Sequence, residues 1–197
     1  MSKQEKRNLL IEIGTEELPP KALKKLSQAF TDSITQGLTK AELKFGDVHS
    51  YATPRRLAVL VEGVPVAQKE KAIERRGPAV QAAFGDDGCP TKAAEGLAAS
   101  CGVTVEQLAT QETDKGAWLV FQTMQIGEDT SALIPGIVNT ALDALPIPKR
   151  MRWGDLDAQF VRPVHWVVLL FGDELIETEI LAVRSGRQTY GHRFHHP

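Results

Sequence analysis

Between Lys21 and Leu43, the residues Leu23, Leu26, Phe30, Ile34, Leu38 and Ala41 recur at steps of three and four. Apolar residues at that spacing line one face of an α-helix and leave the other face polar. A helix with a single apolar face has to be covered, and its flanks are strand-like. "NLLIEIG" (8–14) is a short apolar run halted at Gly14, and "TEELPP" then turns the chain and sets Pro20 in the first helical turn. After Gly46-Asp47, "VHSYATPRRLAVLVEGV" (48–64) reads as two strands broken at Pro54, the second alternating and β-branched. The pattern predicts strand, helix, strand, strand, with the helix packed on one sheet face.

Further along, "KEKAIERR" (69–76) runs into a Gly77-Pro78 punctuation. A compact helical patch follows. "TKAAEGLAASCG" has Thr91 as cap behind Pro90 and Gly102 as stop, and "TVEQLA" restarts from a Thr104 cap. "GAWLVFQTMQ" (116–125) alternates as a strand does. "EDTSALIPGIVNTALDAL" is a helix ended by "PIP", and Pro135 either kinks it or delays its start. Two last strands, at about 160–171 and 174–183, meet at a Gly172-Asp173 hairpin turn. The expected class is α+β: mainly antiparallel sheets with packed helices and a small helical insertion near 78–112. Two units are expected, a strand–helix–strand–strand unit at 1–68 and a second α+β unit at 69–197. The closing "GHRFHHP" carries no final element, so the second unit is expected to be truncated there.

At 197 residues with 42% hydrophobic and 24% charged, the chain is long enough to bury a core. Even "VHWVVLLFG" is strand-length, well short of the roughly 20 apolar residues that cross a bilayer. The charged start "MSKQEKRNLL" has no apolar signal-peptide region. Cys89 and Cys101 have neither metal spacing nor the numbers for a disulfide framework. A cytoplasmic chain with no membrane association is expected.

Candidate chemistry is sparse. His192, His195 and His196 crowd the last residues with no carboxylate or cysteine nearby in sequence, so a basic loop is expected there and no metal site. His165 lies beside Trp166 in an apolar strand, which suits a hydrogen-bonded core or sheet-face histidine. Glu16 and Glu17 are adjacent and so point in different directions, and they lead a helix whose positive end favours carboxylates. No serine or cysteine sits in a nucleophile elbow, and neither a phosphate loop nor a dinucleotide fingerprint occurs. No catalytic residues are assigned.

Arginine is distributed unevenly. Between Cys101 and Pro148, six acidic residues face only Lys115, whereas arginines gather elsewhere. "ATPRRLAV" sets Arg55 and Arg56 at a strand start, "ERRGPA" sets Arg75 and Arg76 by a turn, and "KRMRWG" joins Lys149, Arg150 and Arg152 to the indole of Trp153. Arg184, Arg187 and Arg193 form a further group near the end. A planar guanidinium grips phosphate in bidentate fashion, and an indole can stack on a base. The residues Arg55, Arg56, Arg75, Arg76, Lys149, Arg150, Arg152 and Trp153 are therefore candidates for contact with RNA, against a plainer role as salt-bridged strand ends. The group from Lys149 to Trp153 is expected to face solvent or a partner, with the indole packed partly on the sheet.

Eight blocks carry a resemblance: "LLIEIGTEELPPKAL", "ATPRRLAVLV", "ERRGPAVQAAF", "PTKAAEGLAASCGVTVEQL", "TDKGAWL", "LPIPKRMRWG", "FVRPVHWVVLLFGDELI" and "GHRF". In this order they are similar to the β subunit of bacterial glycyl-tRNA synthetase, the heterotetrameric form, and the likeness runs from Leu9 onward. It implies an α2β2 enzyme that attaches glycine to tRNA(Gly) using ATP, with the α subunit and tRNA(Gly) as partners. ATP and glycine belong to the α subunit, so no cofactor is expected on this stretch, which corresponds to the N-terminal part of β. Alone, it is expected to be inactive. The alternative is a docking module for α/β assembly without direct tRNA contact.

Overall fold

The computed structural model describes residues 5–85, 89–113 and 116–192. In chain order the elements are β1 (Lys6–Thr15), α1 (Pro20–Lys40), β2 (Val48–Thr53), β3 (Arg56–Pro65), β4 (Lys71–Ala79), α2 (Val80–Ala83) and α3 (Lys92–Cys101). A 3₁₀ turn at Val105–Gln107 leads to β5 (Ala109–Thr113) and β6 (Gly116–Gln125). The chain ends with α4 (Thr130–Asp143), β7 (Met151–Arg152), β8 (Gln159–Phe160), β9 (Val164–Phe171), β10 (Glu174–Leu175), β11 (Glu179–Ile180) and β12 (Val183–Gly186). The α+β class expected from the patterning holds.

The main sheet has seven strands in the order β11-β12-β9-β1-β3-β2, with β10 also pairing β9. Every pairing is antiparallel except β12 with β9. Side chains alternate across a strand. On β1, Leu9, Ile11 and Ile13 therefore face the core, as do Leu57, Val59 and Val61 on β3 and Val167, Leu169 and Phe171 on β9. Helix α1 covers this face with Leu26, Phe30, Ile34 and Leu38, and α4 adds Ile134, Val138, Ala141 and Leu142. The two helices meet at Gly37, where a Cβ would lie 2.5 Å from Ile137. Helix α4 begins at Thr130 and runs through Pro135, so the proline does not delay it. Its start is tied to β3 instead, with Thr130 Oγ1 donating to the Pro65 carbonyl at 2.6 Å.

The expected division at 1–68 and 69–197 needs correction. One unit combines residues 1–68 with 128–197, and residues 69–127 form the other. The cause is non-local pairing: β9 lies beside β1, Leu9 against Phe171 and Ile13 against Val167. Sequence adjacency cannot reveal a partner so far along the chain. At the neck, Gln68 donates to the Glu128 carbonyl at 2.9 Å and Ala67 bridges Asp129, closing the main unit on itself.

The inserted unit is a three-stranded sheet, β4-β6-β5, carrying α2 and α3. Its main buried cluster is Ala83, Ala94 and Leu119, with Val80, Phe84 and Leu97 partly buried around it, and Ala98 and Val120 are buried as well. Helix α3 follows Thr91 and stops at Gly102 in the left-handed conformation (φ 70°). The Thr91 hydroxyl donates to the Ala82 carbonyl rather than capping the helix. Thr104 and Gln107 form a capping box. Both closing strands differ from expectation. The one expected over 160–171 is divided, since Gln159–Phe160 pairs with Met151–Arg152 as a separate hairpin, and the one expected over 174–183 breaks into β10, β11 and the start of β12.

Candidate nucleic-acid interface

The outward face of the main sheet is organised around a buried carboxylate. Because Leu9, Ile11 and Ile13 point inward, Glu12 and Gly14 point outward, with Gly14 between Arg56 on β3 and Trp166 on β9. The Trp166 ring lies directly on Gly14, where a Cβ would come within 2.0 Å of it. Only glycine allows that contact. The indole N–H then donates to Glu12 Oε1 at 2.6 Å, and the Thr189 hydroxyl donates to the same oxygen at 2.5 Å. Arg56 Nε lies 3.2 Å from Glu12 Oε1, and its guanidinium sits over the Trp166 ring at 5.8 Å. Arg56 also donates to the Tyr190 carbonyl, and the Tyr190 ring meets Trp166 edge-on at 5.1 Å. Glu12 is only 7% exposed. A buried carboxylate is costly unless ringed by donors and a countercharge, and this one has both. The network straps residues 189–190 onto the sheet.

Next to it, Glu16 Oε1 is shared. His165 Nε2 lies 2.8 Å away and Arg55 donates to it at 3.3 Å, while Arg55 Nε reaches the Thr15 carbonyl. His165 is thus the sheet-face histidine expected, facing solvent rather than core. The Glu17 carbonyl accepts from Arg162 Nε at 2.9 Å.

The remaining candidates are held separately. Arg150 donates to the Leu142 and Asp143 carbonyls at 3.3 and 2.8 Å and to the Gln159 carbonyl at 3.4 Å. It therefore closes the C-terminus of α4, where unpaired carbonyls and the negative end of the helix dipole favour a cation. The expectation that the whole "KRMRWG" group faces outward is corrected for this residue, whose side chain is 27% exposed. Arg152 pairs with Asp157 at 2.9 Å and donates to the Leu156 carbonyl, and its side chain is 55% exposed. Lys149 is exposed, and Trp153 packs partly buried against the main core before the turn at Gly154 (φ 60°). In the inserted unit, Arg75 reaches the Ser100 carbonyl at 3.4 Å, and Arg76 stacks on the Trp118 ring at 3.9 Å.

Sequence reasoning passed over a cleft of about 240 Å³ between β9 and the segment that follows β12. Its walls include His165, Trp166, Arg184, Arg187 and Tyr190. The signal was present as the terminal arginine group, but nothing in linear order links it to His165. Arg193, His195 and His196 lie outside the described residues. Among the described residues, no group of three His, Cys, Asp or Glu side chains is placed to hold a metal, and no helix is long and apolar enough to cross a membrane.

Fold and surface together define a two-unit α+β module whose larger sheet bears arginines and aromatic rings on its outward face. Residues 9–197 match the family model described as "Glycyl-tRNA synthetase beta subunit", and the chain belongs to that family. It is 56% identical over 191 residues to the glycine–tRNA ligase beta subunit of Hahella chejuensis, covering 97% of this chain and 28% of the relative. The corresponding protein of Histophilus somni strain 2336 is 59% identical over 188 residues, covering 95% and 27%. That of Marinobacter nauticus is 55% identical over 191 residues, covering 97% and 28%. The chain thus spans little more than a quarter of the length of these curated relatives.

Proposed function

We propose that this chain acts as part of the β subunit of a glycine–tRNA ligase, which attaches glycine to tRNA(Gly) using ATP. In this reading the β subunit supports tRNA binding, and the α subunit of a cytoplasmic α2β2 enzyme supplies the site for ATP and glycine. The observation carrying it is identity of 55–59% over nearly the whole chain to proteins bearing that name. Of the RNA-contact candidates, Lys149, Arg75 and Arg76 keep exposed cations, Arg152 is exposed but paired with Asp157, and Arg55, Arg56 and Arg150 have their donors turned to the protein's own acceptors.

That internal use of arginine favours a second reading, in which the chain is a docking module for α/β assembly. A mobility shift with tRNA across a salt series separates the two. Phosphate contacts lose affinity steeply with salt, whereas a docking module gives no shift without the α subunit. ATP–pyrophosphate exchange with glycine by the isolated chain is expected to be absent. Exchange by the pure chain would overturn the division of labour between the subunits.

A further inference from the structure

The cleft beside Trp166 combines features that the family's name does not assign to any residue. Arg184 is exposed on β12 and stands opposite Glu179 of β11 in register, yet no ion pair joins them. Arg187 uses one guanidinium nitrogen on the Asp173 carbonyl, which fixes its direction and leaves further N–H groups to donate. His165 also lines the wall, with its Nε2 held 2.8 Å from Glu16 Oε1. Tyr190 is 49% exposed, but its position is set by the Arg56 bond to its carbonyl and by the edge contact with Trp166. The cleft therefore presents cationic forks and a pre-positioned aromatic ring on one surface.

Those parts suit an anion joined to a planar ring. A guanidinium matches phosphate oxygens in bidentate fashion, and an exposed aromatic ring stacks on any base. The volume, about 240 Å³, falls below the roughly 300–1,000 Å³ usual for sites that enclose a whole small molecule. An open cleft of that size fits one unit of a polymer whose neighbours run on across the surface. A protein anchor would call for an apolar pocket, and here Val167 and Val183 are the aliphatic members of the lining. We infer that the cleft holds one nucleotide of a single-stranded RNA segment, its phosphate on Arg184 and Arg187 and its base against Tyr190. The inference rests on the tRNA-supporting role proposed above.

The test uses a single-stranded RNA hexamer and whole tRNA, bound across a salt series by this chain and by the full-length subunit assembled with its partner. Arg184→Ala, Arg184→Glu and Tyr190→Leu are compared with the unchanged protein, and a melting curve is recorded for each. The Arg184 side chain makes no hydrogen bond or ion pair among the described residues, its backbone pairing with β11 does not depend on it, and leucine at 190 keeps the carbonyl that Arg56 binds. Arg184→Ala is expected to flatten the salt slope by about 0.7, the value of one single-strand phosphate contact. Tyr190→Leu is expected to weaken hexamer binding about tenfold at every salt concentration, in line with the loss of one stacked base. The melting temperature should not move for Arg184→Ala, and Arg184→Glu, which sets a second carboxylate opposite Glu179, should lower it only slightly. If the unchanged protein binds tRNA in a salt-dependent way and Arg184→Glu binds it equally well, the cleft is not the site, although the tRNA role survives. If no form binds tRNA, both ideas fall. Should Arg184→Glu lose its subunit partner while keeping RNA affinity, the cleft takes a protein carboxylate and the inference is wrong.

Discussion

The two units each contain a tryptophan beside an arginine, and the two pairs are finished differently. In the main unit the Trp166 indole N–H donates to Glu12, and Arg56 lies over its ring and against the same carboxylate. In the inserted unit Arg76 stacks on Trp118 more closely, at 3.9 Å, yet the buried Trp118 Nε1 finds no acceptor among the described residues. The cores differ in the same sense. The main unit's buried cluster is drawn from two helices and three long strands, whereas the inserted unit has Ala83, Ala94 and Leu119. Apolar area removed from water is the main source of stability, so the inserted unit should open locally at lower free energy than the sheet that carries it.

Two core truncations probe that difference most strongly. Phe30 is fully buried between α1 and the sheet, and Phe30→Ala should destabilise the main unit by about 3–5 kcal/mol. Leu119→Ala should act differently, because it removes the largest side chain of a small buried cluster. Amide hydrogen exchange is expected to show β4, β5 and β6 losing protection in this variant, with β1, β3 and β9 unchanged. If β1 and β9 lose protection together with β6, the two units unfold as one and the contrast disappears.

A smaller effect is expected at Gly14. The added methyl of Gly14→Ala would lie 2.0 Å from the Trp166 ring, which cannot swing aside without giving up its bond to Glu12. Forced overpacking of this kind costs about 1–3 kcal/mol. Chemical denaturation should show the loss, and fluorescence should report Trp166 displaced. A variant as stable as the parent would mean that the ring is not held there.

Replacing the indole by a smaller ring without the N–H is expected to cost about as much as crowding it. Trp166→Phe leaves Glu12 with the Thr189 hydroxyl and Arg56 but one donor short. Hydrogen bonds to charged acceptors contribute about 1.5–3 kcal/mol, so the variant should lose about 2 kcal/mol by denaturant titration. A loss below about 0.5 kcal/mol would show that water replaces the indole and that the carboxylate is not truly enclosed.

How far the sequence foretold these details depended on the range of the interaction. The α1 face, the Pro54 break between β2 and β3 and the Gly102 stop of α3 were legible because each follows from residues within one or two turns of each other. The insertion at 69–127 was not, because it depends on β9 choosing β1 as its neighbour across the intervening chain. The same limit applied to the surface. Arg150 looks like a free cation among cations until the end of α4 is brought beneath it, and His165 acquires Glu16 only through strand pairing. Linear charge clusters showed where cations gather, and the fold decided which were already occupied.

The least disruptive substitution returns to the second tryptophan. Trp118→Phe keeps an aromatic ring beneath Arg76, and so keeps most of the cation–π contact, while deleting the N–H that lacks an acceptor. A buried donor without a partner costs about 1–3 kcal/mol, whereas the smaller ring gives up some apolar contact of comparable size. The two terms oppose, and the inserted unit should change by no more than about 0.5 kcal/mol. Trp166→Phe, by contrast, deletes a bond that exists. Hydrogen exchange of β6 is the appropriate measure, since a global melt follows the larger unit. Should Trp118→Phe strip protection from β6 as fully as Leu119→Ala does, the indole N–H has an acceptor in solution. The two tryptophans would then be finished alike, and the weakness of the inserted unit would lie in its small core alone.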